Sequence, residues 1–241
     1  MSAASQAPET GYPRALVLSF TGIGSPTATG QLLEVMFEGW PRDRLLQVHY
    51  GHAPEPGVRG ADLRERSLAD VLDVCRRFDP DVAYVRMADT AAEYLIGTRE
   101  ILLALKVPVV THVMDDWVHR NMDEASRRAA TDLFGLLVAR SRHCLSICEQ
   151  MSEEYEARYH RTFVPVANGV DPEFWRQTAA RVPPAQGFVI RYAGALAPDM
   201  QKDTVALVAE SVSELHEALG VSLEIYTLPW CMDFARDLAR L

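Results

Sequence analysis

Thr111–His119, T-H-V-M-D-D-W-V-H, sets a histidine, two adjacent carboxylates, an indole and a second histidine directly behind an apolar run. Polar groups in such a place are costly to bury without partners, so each must find a hydrogen bond, an ion pair or a ligand. Two arrangements suit these residue types. Asp116 can cap the following helix, with Trp117 packed beneath it and Asp115 in solvent. Alternatively, His112, Asp115, Asp116 and His119 supply the donor types of a metal cluster, although no spacing rule fixes their geometry.

A second candidate is Gly22-Ile23-Gly24, within T-G-I-G-S-P-T. A glycine loop after a strand lets backbone N–H groups approach an anion or a sugar, helped by the dipole of the next helix. It is not the dinucleotide fingerprint. The third glycine is missing, and the second strand ends in His49-Tyr50-Gly51 without an acidic residue. An ordinary tight turn is the other reading. The four cysteines, Cys75, Cys144, Cys148 and Cys231, show no C-x-x-C pair and fit buried reduced thiols in a cytoplasmic chain.

The elements that must position these groups alternate regularly. Apolar runs at 14–21, 44–50, 81–86, 107–113, 143–147 and 163–166 read as strands. Between most of them lie helical stripes, such as Leu68, Val71, Leu72, Cys75 and Phe78. Residues 51–60 read as a Gly/Pro loop, and the helix after Val113 is expected from Val118. Such alternation implies α/β architecture with a Rossmann-like parallel sheet covered on both faces. Residues 177–187, with Pro183-Pro184, read as a linker. Beyond it come a strand at 188–193, a helix, a strand at 222–226 and a last helix. That is too little chain for a domain of roughly 100 to 150 residues. The expected domains are 1–178, and a partial second Rossmann-like domain over 188–241.

Residues 164–175, V-P-V-A-N-G-V-D-P-E-F-W, read as a joint. Asn168-Gly169 turns the chain, and Asp171-Pro172-Glu173 starts a helix. N-G-V-D-x-x-x-F, following S-I-C-E-Q-M-S-E-E-Y, resembles the hinge-side signature of GT-B glycosyltransferases of the family 4 type. The resemblance implies a GT-B N-terminal, acceptor-side domain followed by part of the donor-side domain. It implies transfer of a sugar from a nucleotide-sugar donor to a sugar, lipid or small-molecule acceptor, with retention of configuration and no metal or other cofactor.

By that resemblance His112 is the catalytic residue, facing the transferred sugar, with Asp115 and Asp116 as acceptor contacts and Gly22, Ile23 and Gly24 at the substrate cleft. Gly194–Asp203 stands where family members place G-R-L-x-x-x-K-G, whose Arg and Lys clamp the donor diphosphate. Ala195 takes the arginine's position, and Lys202, two residues late, is the phosphate contact; a solvated lysine at a helix start is the other reading. The expected E-x(7)-E pair is absent, since no glutamate follows Glu224. An incomplete transferase module that binds acceptor or a partner chain without turnover is therefore the alternative. A nucleotide-binding oxidoreductase is disfavoured by the first glycine loop.

The chain has 241 residues and a formal charge of −9, which argues against nucleic acid as a partner. Arg64-Glu65-Arg66, Arg76-Arg77 and Arg127-Arg128 are read as solvated helix faces, and a peripheral contact with anionic lipid stays open. No signal peptide and no transmembrane run is read from the sequence.

Overall fold

Four consecutive apolar side chains at Ala15–Leu18 are all buried, as a central strand covered on both faces requires. The computed structural model describes residues 11–87, 91–116, 122–169, 172–179, 188–196 and 201–240. Two compact units divide the chain, Met1–Gly169 and Val170–Leu241.

The first unit is built on a seven-stranded parallel sheet. Its strands are β1 (Ala15–Leu18), β2 (Leu45–His49), β3 (Arg59–Asp62), β4 (Val82–Met87), β5 (Val109–Val113), β6 (Ser141–Ser146) and β7 (Phe163–Pro165). They lie in the order β3-β2-β1-β4-β5-β6-β7. The helices are α1 (Ala28–Met36), α2 (Leu68–Phe78), α3 (Ala92–Leu105), α4 (Glu124–Arg140) and α5 (Glu149–Tyr159). The main core joins one sheet face to α2, α3, α4 and α5 through residues such as Val71, Leu95, Leu133 and Tyr155. A smaller core joins Val17, Leu45 and Tyr84 on the other face to Leu33 and Phe37 of α1 and its C-terminus. The α/β, Rossmann-like expectation holds.

Three local expectations are revised. β3 lies in what reads as the end of a loop. R-G-A-D has no apolar run, and its strand character comes from pairing with β2 at the sheet edge. α4 begins later than its apolar spacing suggests, and its N-cap is Asp123, which accepts from the Ser126 N–H at 2.7 Å; Asp116 is not the cap. Arg64-Glu65-Arg66 precede α2, whose N-cap is Ser67.

In the second unit, α6 (Pro172–Ala179) is followed by β8 (Phe188–Ala193), α7 (Lys202–Leu219), β9 (Val221–Tyr226) and α8 (Met232–Leu238). β8 and β9 form a two-stranded parallel sheet. Its core is small, gathered around Leu196, Val205 and Cys231, while Phe188 and Trp230 are 73% and 65% exposed. All four cysteines are free. Burial pushes the Cys75 thiol up to about 12. Among the described residues no helix is long and apolar enough to cross a membrane.

Candidate functional site

Strand order reverses beside β1: β2 and β3 extend to one side, β4 to β7 to the other. In open parallel sheets ligands settle at the carboxyl ends of strands next to such a reversal. Gly22-Ile23-Gly24 follows β1, and His112 ends β5 two strand positions away.

The glycine loop is held from within. Gln47, fully buried in β2, donates through Nε2 to the Thr21 carbonyl at 2.7 Å and accepts the Ile23 N–H on Oε1 at 2.7 Å. The Gly24 N–H donates to the Gly30 carbonyl at 2.9 Å, and the Ser25 N–H to the Gly22 carbonyl at 3.2 Å. A Cβ on Gly22 would stand 2.4 Å from the backbone of Ala53 and Pro54. Gly24 has φ +69, and a Cβ there would meet the Glu55 side chain at 2.9 Å. The glycines thus allow close approach of the 51–56 loop, and the amides of Ile23, Gly24 and Ser25 donate inside the protein.

His112 is 1% exposed. Its Nδ1 lies 2.8 Å from the Tyr84 hydroxyl, which also lies 3.5 Å from the Met36 sulfur. The single phenol proton goes to the nearer and more basic acceptor, the ring nitrogen, since a thioether accepts weakly. The ring proton therefore sits on Nε2, which is closed from solvent and, among the described residues, has only the Val166 backbone as a polar neighbour, outside strict hydrogen-bond geometry. Burial lowers the His112 pKa to about 4; the nearby backbone of Val166 opposes the shift and the Arg86 cation adds to it. Near neutral pH this is a neutral imidazole whose Nε2–H has the Val166 backbone as its nearest polar neighbour. Burial also raises the Tyr84 phenol, so it stays protonated.

Arg86 lies beside His112 in the pairing of β4 with β5. Its Nε donates to the Met114 sulfur at 3.2 Å, and one terminal nitrogen is 3.7 Å from Asp115 Oδ2, with the Arg86 side chain only 10% exposed. Neither contact satisfies a guanidinium with five N–H donors as a bidentate carboxylate or phosphate would. Asp116 turns to α5, accepting from the Tyr155 hydroxyl at 3.0 Å and lying 3.7 Å from Arg158. The neighbouring carboxylates thus serve different partners. His119 and Trp117 lie outside the described residues, and among the described residues no group of three metal-ligating side chains converges.

Lys202 opens α7 in the second unit, with its ammonium 4.5 Å from the centroid of the Phe234 ring. Gly194 donates its N–H to the Tyr226 carbonyl at 3.0 Å, and Ala195 has its carbonyl bonded by the Tyr192 hydroxyl.

Sequence reasoning passed over Arg86, Tyr84 and Gln47. Arg86 carried a usable signal, a charge near the end of an apolar strand, V-A-Y-V-R-M. Gln47 was also readable as an amide inside L-L-Q-V-H, although its partners in the glycine loop were not.

No family model matches the chain, and no curated protein matches it in sequence. Among solved structures, Anabaena HepE in complex with UDP matches with a TM-score of 0.59 at 16% identity, over 94% of this chain and 65% of that one. The Bordetella bronchiseptica enzyme WbmG in complex with NAD matches at 0.40 and 10% identity, over 92% and 74% of the two chains. L-threonine 3-dehydrogenase from Trypanosoma brucei matches at 0.37 and 11%, over 83% and 61%. The likeness to HepE supports the Rossmann-like fold; the two lower scores add nothing to it. This chain spans less than two thirds of the length of HepE.

Proposed function

We propose that this protein acts on a nucleotide-activated sugar, as a glycosyltransferase that moves the sugar to an acceptor held by the first unit. The observation that carries this reading is the buried, neutral His112, paired with Tyr84 at the carboxyl end of β5 and standing beside Arg86, whose contacts among the described residues are Met114 and Asp115. The fold shared with a UDP-bound protein and the family 4 resemblance support it.

In this reading His112 Nε2 donates to a hydroxyl of the transferred sugar, and substrate entry displaces whatever covers that nitrogen. Arg86, steadied by Asp115, meets an anionic group of the ligand, a phosphate or a carboxylate. Asp116 orders α5 against the same strand end and is the more distant acceptor. Gly22-Ile23-Gly24 forms a wall of the cleft, and Lys202 contacts the donor phosphate. Fixed donors aimed at developing charge lower a barrier without a strong protein base. Retention of configuration and independence from metal come with the family resemblance.

A second reading, an incomplete module that binds without turnover, is favoured by Ala195 at the position of the expected phosphate-clamping arginine. Losing a charge-assisted, bidentate contact of that kind weakens the hold on a diphosphate. Incubation with UDP-glucose or GDP-mannose together with a sugar acceptor such as maltotriose, reading nucleoside diphosphate release, tests the proposal. Steady release that falls about tenfold or more in His112→Gln supports transfer. Binding without release in any condition supports the second reading.

A further inference from the structure

A cavity of about 400 Å³ opens at the carboxyl ends of β2 and β3, across β1 from His112. His49 and Asp62 line it and are 4% and 8% exposed. The strand register places them side by side. Asp62 Oδ2 lies 3.8 Å from His49 Nδ1, while its Oδ1 accepts the Arg64 N–H at 2.8 Å. Among the described residues no group, Asp62 included, reaches Nδ1 within hydrogen-bond distance, so the carboxylate acts on the ring through its charge.

Nε2 points toward Gly60. A Cβ there would stand 3.0 Å from Nε2 and 3.1 Å from Pro54, so the missing side chain keeps the ring edge uncovered. A carboxylate behind Nδ1 favours the proton on that nitrogen and leaves the Nε2 lone pair free to accept. Burial lowers the His49 pKa, which keeps the lone pair available near neutral pH.

The surroundings narrow the ligand class. Pro54, Pro56 and Val58 give an apolar wall, while Glu65 and Arg66 give a rim of mixed charge. Glu55 is held by Arg42. A net-anionic ligand would face Asp62, Glu55 and Glu65, whereas a ligand with hydroxyls on an apolar frame matches both wall and rim.

We propose that this cavity binds a sugar or polyol, with a ligand hydroxyl donating to His49 Nε2 and the Asp62 charge behind Nδ1 biasing the tautomer. β2 and β5 are three strand spacings apart, about 14 Å. If the transfer reading holds, the cavity is the far end of the acceptor site, and an acceptor spanning both places is an oligomeric or extended one. Contacts made there, away from the reacting atoms, contribute binding energy that orients the acceptor. The binding itself does not rest on that reading.

The test is imidazole NMR of the whole chain, with His49 assigned through His49→Gln. The probes are methyl glucoside, methyl mannoside, maltotriose and myo-inositol, with UDP titrated separately. The expected result is a saturable shift of the His49 signals with at least one of the four, weakened about tenfold by Gly60→Val. Should that variant not fold, Glu65→Ala/Arg66→Ala at the exposed rim is expected to weaken the same shift. No His49 response to any of the four probes, or a response unchanged in the folded variants, would overturn the proposal. Polyol binding without UDP binding would keep this site and remove the nucleotide-sugar reading; UDP binding alone would do the reverse.

Discussion

The Tyr84 hydroxyl stands 2.8 Å from His112 Nδ1, and this pair places the ring proton on Nε2. Tyr84→Phe leaves Nδ1 buried without its donor. The expected cost is about 1–3 kcal/mol in urea denaturation, with the 15N shifts of His112 moving away from a pure Nε2–H form. Unchanged stability and unchanged shifts would show that Tyr84 does not set the tautomer.

Acid should weaken the fold through His112. Its folded pKa, about 4, lies below the reference value of 6.5, so the unfolded chain binds the proton first as pH falls. The contribution is therefore full above pH 6.5 and disappears as pH falls toward 4, amounting to about 3 kcal/mol. His49 is depressed in the same direction, so His112→Gln must be compared with the parent chain. The variant should lose less stability than the parent between pH 7 and pH 4.5; equal losses would show that His112 is not held neutral.

The glycine loop depends on Gln47 and on the space at Gly22. Gln47→Leu leaves the Ile23 N–H and Thr21 carbonyl without their partner, and should cost about 2–4 kcal/mol in chemical denaturation. Gly22→Ala drives a Cβ to 2.4 Å from the Ala53–Pro54 backbone and should cost about 1–3 kcal/mol. Denaturation midpoints equal to the parent's would mean the loop is not clamped in this way.

At Arg86 an effect on binding is expected without an equal effect on folding. Replacing a buried ion pair member with an apolar side chain of similar volume can be nearly neutral when its partner reaches water, and Asp115 is 46% exposed. Arg86→Met should therefore keep its stability within about 1 kcal/mol while nucleoside diphosphate release falls about tenfold. A large stability loss with normal release would make Arg86 structural.

Legibility followed the nature of each signal. The four apolar residues of β1 can form little except a buried strand, and the helical stripe of α2 has one apolar face, so both could be read locally. R-G-A-D of β3 could not, because its strand state comes from β2 rather than from its own residues. Asp116 reads as a cap in sequence, and only the fold commits it to Tyr155 and leaves the capping of α4 to Asp123, through Ser126. His112 stood out as a polar group ending an apolar strand, whereas its phenol partner is 28 residues away in the chain. The glycine loop was likewise visible, but Gln47 and Ala53, which explain why it must be glycine, come from other elements.

Calorimetric titration of the whole chain with UDP-glucose, GDP-mannose and NAD bears most directly on the nucleotide-sugar assignment. Saturable heat is expected with at least one nucleotide sugar, and none with NAD. Heat with NAD alone, or with none of the three, would contradict the assignment.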